Sequence, residues 1–171
     1  CPPVDPGLLD REIALVRSLD SRPVVVTDSG ELSVWVPAAK RADIFGTTLY
    51  RRTYSQNLKR YVHYPIGPGF FRAKKRLAGL FAKPRDWIVI ELGAEPWAPY
   101  PYQNITKEER SRTMDLAKLK DTVEFARKTG FRDFYLWGVE WWYWEMAANG
   151  DPGLWNYART LFGGGTAGSE L

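Results

Sequence analysis

Apolar positions along the chain fall into two kinds of run. Leu8, Leu9, Ile13, Leu15 and Val16 recur near a 3.6-residue period, which predicts a helix opened by Asp5 or Pro6 and ended by Asp20-Ser21-Arg22-Pro23. Val24-Val25-Val26-Thr27 has no polar alternation, the pattern of a strand buried on both faces. Residues 42–50, Trp87-Ile88-Val89-Ile90 and Phe134-Tyr135-Leu136-Trp137 repeat that pattern. Between these runs the spacing predicts helices over residues 32–41, 70–82 and 107–128, with Gly130 a cap just past the last. A terminal helix is expected over 152–162 after Asp151 as N-cap. Residues 163–171 then form a flexible tail or linker, leaving one domain over 1–162.

Short apolar strands that alternate with helices imply right-handed β-α-β units and a parallel sheet. Four such units are counted. The expected class is therefore α/β with parallel strands, either as an open doubly wound sheet or as half of a barrel. The 171 residues fall short of the roughly 250 that a complete (β/α)8 barrel takes. No Gly-rich phosphate fingerprint follows the first strand, as a dinucleotide-binding sheet requires.

Composition narrows the chemistry. A net charge of +4 spread along the chain gives no nucleic-acid footprint, and Arg51, Arg52, Lys59, Arg60, Lys74, Lys75 and Arg76 read as helix and loop solvation. Cys1 is the single cysteine, which excludes an internal disulfide framework and a multi-cysteine zinc site. His63 is the single histidine, expected in a long loop, and no nucleophile motif surrounds it. No membrane segment or signal-peptide pattern is visible. Nor is there a metal ligand set, and no cofactor is called for. The eight Trp and nine Tyr exceed what a core of this size needs, since every buried indole N–H must find a partner.

These rings gather with carboxylates at the carboxyl ends of the strands. Asp28-Ser29-Gly30-Glu31 follows the first, Tyr50-Arg51-Arg52 the second, Glu91 and then Glu95-Pro96-Trp97 the third. Trp137-Gly138 leads from the fourth into Glu140-Trp141-Trp142-Tyr143-Trp144. Ligands of α/β folds bind at that end. Aromatic faces suit the C–H faces of sugar rings, and carboxylates suit their hydroxyls and the cleavage of a glycosidic bond.

The string Trp-Ile-Val-Ile-Glu-Leu-Gly-Ala-Glu-Pro-Trp at 87–97 resembles the seventh strand and following loop of the (β/α)8 retaining glycoside hydrolases of the cellulase-like and β-galactosidase-like clan. Phe-Tyr-Leu-Trp-Gly at 134–138 is similar to that clan's eighth strand, and Asp-Ile-Phe-Gly-Thr-Thr-Leu-Tyr at 43–50 to its sixth. The resemblance covers roughly residues 8 to 162. It implies a partial TIM barrel made of the last four β-α units, and a glycosidase that cleaves O-glycosyl bonds by retaining double displacement. Glu91 would be the nucleophile and Tyr50 the residue that orients it. Glu31, Trp97, Trp137, Glu140 and Trp141 would contact an oligosaccharide or polysaccharide. The clan's acid/base glutamate ends its fourth strand, usually as Asn-Glu, and no Asn-Glu occurs here. That residue is expected upstream of Cys1, in a missing N-terminal half barrel. Three alternatives stay open: Glu31 as an acid within this chain, a non-catalytic carbohydrate-binding barrel remnant, and an open-sheet α/β domain of other function.

Overall fold

Asp5 accepts the Gly7 N–H at 3.0 Å and Pro6 brings a helical φ to the first turn, so helix α1 runs Pro6–Leu19 and stops where Asp20 turns extended. The structure is a computed structural model that describes residues 5–163. The chain continues through β1 (Val25–Asp28), α2 (Val36–Ala39), β2 (Ile44–Leu49), β3 (Arg52–Ser55), β4 (Arg60–His63) and α3 (Pro68–Gly79). It ends with β5 (Asp86–Gly93), α4 (Lys107–Ser111), α5 (Leu116–Arg127), β6 (Phe134–Trp137), α6 (Val139–Asn149) and α7 (Gly153–Gly163). Gly163, expected to begin the tail, closes α7, and the rest of that tail lies outside the described residues.

The four strands expected from sequence form one four-stranded parallel sheet in the order β1-β2-β5-β6, with Val25 opposite Ile44 and Asp28 opposite Thr47. The protein is thus a mixed α/β fold. Val89 donates its N–H to the Asp133 carbonyl at 3.0 Å and Ala94 to the Trp137 carbonyl at 2.9 Å. Five residue steps on the β5 side therefore match four on the β6 side, so β5 carries a bulge between those bonds. Along β5 burial comes in pairs instead of alternating.

Several expectations are corrected. The helix over 32–41 is a turn followed by the short α2. Trp35 swings fully into the core, donates its indole N–H to the Ser29 carbonyl at 2.8 Å and holds a φ of 66°, which no helix tolerates. Residues 52–63 are an antiparallel hairpin in which Arg52 lies opposite His63, so His63 sits on a strand instead of a loop. The long helix over 107–128 splits into α4 and α5. The Thr113 hydroxyl, which exchanges bonds with the Trp97 backbone at 3.0 and 2.9 Å, fixes the intervening turn. The outermost strands are not buried on both faces: Val25 is 41% and Tyr135 56% exposed.

The described residues divide into two compact units, one holding the chain up to Leu49 with 66–91 and 126–135, the other holding 50–65, 92–125 and 136–163. In the first, Trp35 packs on Phe45, Phe71, Trp87 and Phe131 with ring centroids 5.5–6.3 Å away. In the second, Leu119, Met114, Leu154, Trp141 and Trp142 form the core. Beside them Arg110 Nε stands 2.8 Å from Glu145 Oε1 in a buried ion pair. Among the described residues no helix is long and apolar enough to cross a membrane.

Candidate functional site

Three backbone constraints bring the end of β5 to the end of β6. Ala94 donates to the Trp137 carbonyl, and the Trp142 indole on α6 donates to the Ala94 carbonyl at 2.8 Å. Gly138 holds a φ of 141°, and a Cβ there would lie 2.8 Å from the Ala94 oxygen, so only glycine permits the approach. The next side chains then meet: the Trp137 indole N–H donates to Glu95 Oε1 at 2.8 Å.

Glu95 is half-buried. Burial raises its pKa most, the Trp137 bond lowers it and the Glu140 charge raises it, leaving the carboxyl above its ordinary range. The Tyr102 phenol is raised too, by burial and then by the Glu95 and Glu140 charges. Beside this group lies an open cleft of about 300 Å³ lined by Gln56, Glu95, Trp97, Tyr100 and Tyr102. Trp97 is 40% and Trp137 51% exposed, so both rings offer a face to a ligand. Aromatic planes around a carboxyl that is both acceptor and weak acid can hold an apolar ring face while taking a hydroxyl proton.

Tyr50 belongs to the same unit. Its ring lies over Gly93, where a Cβ would come within 2.8 Å of Cε1, and meets Trp97 edge-on at 5.2 Å. Glu140 is exposed in the first turn of α6, so it is not an acid buried beneath the aromatic cluster. Trp141 is corrected as a ligand contact. It is 2% exposed, sits in the core and donates its indole N–H to Glu145 Oε1 at 3.2 Å. Burial of the α6 face toward Met114 and Leu119 takes Trp141 and Trp142 inward and leaves Tyr143 56% exposed.

In the other unit, Glu91 is half-buried on β5. Glu31 lies in the turn after β1, five residues ahead of α2, so it does not cap that helix. Burial lowers the Lys74 pKa and the Glu31 and Asp28 charges partly offset it; the Lys74 ammonium donates to the Gly30 carbonyl at 2.6 Å and stands 4.4 Å over the Trp35 ring. Asp28 accepts the N–H of the next residue, Ser29, at 2.8 Å.

No protein-family model, curated protein or solved structure matches this chain.

Glu95, the carboxyl that accepts the Trp137 indole N–H, is legible in the sequence only as part of the loop after the third strand; its partner Trp137 lies 42 positions away. The buried pair Arg110–Glu145 had a single sequence signal, a carboxylate inside a helix of aromatic residues. Nor was the hairpin latch foreseen: Arg51 and Arg52 both donate to Asp121 Oδ2, at 2.5 and 2.9 Å, and the Arg51 guanidinium lies 4.5 Å over Phe125. Beside it the His63 pKa is lowered by burial and by the Arg52 and Arg51 charges.

Proposed function

We propose that this chain forms the last four β-α units of a (β/α)8 retaining glycoside hydrolase acting on a β-linked oligosaccharide or polysaccharide. The observation that carries the reading is the Trp137–Glu95 bond beside the exposed face of Trp97. It supports the reading because a carboxyl and two partly exposed indoles follow the carboxyl ends of β5 and β6, the end at which such folds bind ligands. Glu91, on the strand that leads into this loop, is the nucleophile. It attacks the anomeric carbon and forms a covalent glycosyl-enzyme as the leaving sugar departs. An acid/base carboxyl from outside this chain protonates the leaving oxygen, then takes a proton from the water that releases the sugar. Trp137 and Trp97 bind sugar faces, and Glu95 accepts a sugar hydroxyl.

Two measurements test this. In the complete enzyme Glu91→Ala abolishes turnover while the circular dichroism spectrum is unchanged; retained turnover sinks the nucleophile assignment. With this chain alone, a β-linked oligosaccharide quenches or shifts tryptophan fluorescence, and Trp137→Ala removes the response. The same aromatic surface also fits a carbohydrate-binding remnant without catalysis, which predicts the fluorescence response and no turnover in any assembled form.

A further inference from the structure

Residues 67–85 carry Arg72, Lys74, Lys75, Arg76, Lys83 and Arg85 and not one Asp or Glu. They form α3 and the turn after it, all within the first compact unit. The contacts of α3 fix which way each side chain faces. Phe71 and Ala78 are buried, Phe71 lying 6.3 Å from the Trp35 ring. On one flank Lys74 reaches the Gly30 carbonyl and the Trp35 ring. On the other, Lys75 donates to the Gly130 carbonyl at 3.0 Å and stands 5.0 Å over the Phe131 ring. With the core and both flanks assigned, the helical period leaves Arg72, Ala73, Arg76, Leu77 and Leu80 facing outward. The buried Ala82, whose N–H bonds the Ala78 carbonyl, then holds Phe81 out at the end of the helix.

The result is an apolar tip inside a basic collar. Leu77 is 60%, Leu80 73% and Phe81 60% exposed, and Arg76, Lys83 and Arg85 around them are exposed too. The adjoining turn adds Lys128, whose carbonyl accepts from Arg72, and Arg132, whose charge acts on Lys75 together with that of Asp86. Asp86 itself turns back to accept the Trp87 N–H at 2.7 Å. Strands supplied by further chain pair with β1 or β6, the outer members of the order β1-β2-β5-β6, whereas α3 lies in the connection between the inner two. Extension of the sheet therefore does not account for this face.

We propose that the outward face of α3 docks on an anionic phospholipid surface, with Leu77, Leu80 and Phe81 entering the headgroup layer and Arg76, Lys83 and Arg85 meeting the lipid phosphates and carboxylates. Charge complementarity selects an anionic partner, and the apolar tip selects a bilayer among such partners. A nucleic-acid duplex would engage the cations and leave two leucines and a phenylalanine in water. At a bilayer surface the apolar groups leave water while the long basic side chains keep their charges among the headgroups. Neither signal suffices alone, since stable peripheral anchoring takes an apolar insertion and a basic patch together. The mode is peripheral: no helix among the described residues can span a membrane.

Cosedimentation of the full chain with vesicles decides it. The chain pellets with phosphatidylcholine vesicles that contain phosphatidylserine, does not pellet with phosphatidylcholine alone, and is released as salt shortens the range of the attraction. Arg76→Gln and Lys83→Gln each weaken binding about fivefold. Leu80→Gln and Phe81→Gln each weaken it about tenfold. All four side chains are exposed, so each variant keeps the parent's circular dichroism spectrum and melting temperature. Absence of binding, equal binding to the neutral vesicles, indifference to the two apolar substitutions, or tighter binding of a DNA duplex than of the anionic vesicles overturns the proposal. No sugar or turnover enters these readouts, so the proposed function stands or falls separately.

Discussion

The indole N–H of Trp137 reaches Glu95 Oε1 at 2.8 Å across 42 positions of sequence. Two local features make this possible, the extra residue in β5 and the glycine after β6, since either one removed would separate the two strand ends. Glu95 should consequently titrate above its ordinary range, as read by carboxyl-carbon NMR. Glu140→Gln lowers that value by removing a like charge; Trp137→Phe raises it by removing a donor to the carboxylate.

The same shift has a stability consequence. A carboxyl whose folded pKa is raised contributes stability that is present below its unfolded value and lost as pH rises through the folded one. Glu95→Gln, which keeps an acceptor for Trp137, is therefore more stable than the parent at neutral pH, and the gap narrows as pH falls. Urea midpoints across that range check it; a pH-independent gap contradicts the assignment.

Asp121 shows the opposite sign. The Arg52 bond, and then the Arg51 bond, hold its carboxyl below the usual range, so its contribution is present above the unfolded value and lost as pH falls through the folded one. Since the Asp121 side chain is 51% exposed, Asp121→Asn costs only about 0.5–1 kcal/mol at neutral pH. Denaturant midpoints for the two proteins should converge in acid.

Gly93→Ala drives a methyl into the Tyr50 ring and costs about 1–3 kcal/mol, with a change in near-ultraviolet circular dichroism as Tyr50 leaves Trp97. Gly79→Ala is the control. A Cβ there meets nothing within 4 Å at the end of α3, and the variant gains about 0.5–1 kcal/mol.

Trp35→Ala empties the centre of the first aromatic cluster and should lower stability by about 3–5 kcal/mol in thermal melts. A cost below about 1 kcal/mol would mean the four surrounding rings collapse to fill the space.

What could be read before folding and what could not divide along a physical line. The four sheet strands, the Asp5 cap of α1 and the Asp151 side chain that accepts the Gly153 N–H at 3.1 Å depend on residues a few positions apart. Local periodicity and capping chemistry determine them, so the chain by itself settled the α/β class and the parallel strand set. The β3–β4 hairpin hid because β3 is Arg, Thr, Tyr and Ser and β4 carries Val62 as its single aliphatic residue. Trp35, Trp141 and Glu95 needed more than local pattern. A helix-compatible stretch was broken by the burial of one ring, a Trp in an aromatic run went to the core while Tyr143 faced outward, and a loop carboxyl found its donor on another strand. Those outcomes belong to tertiary structure, because the free energy of burying a ring or satisfying a carboxylate depends on partners that only the folded chain brings within reach.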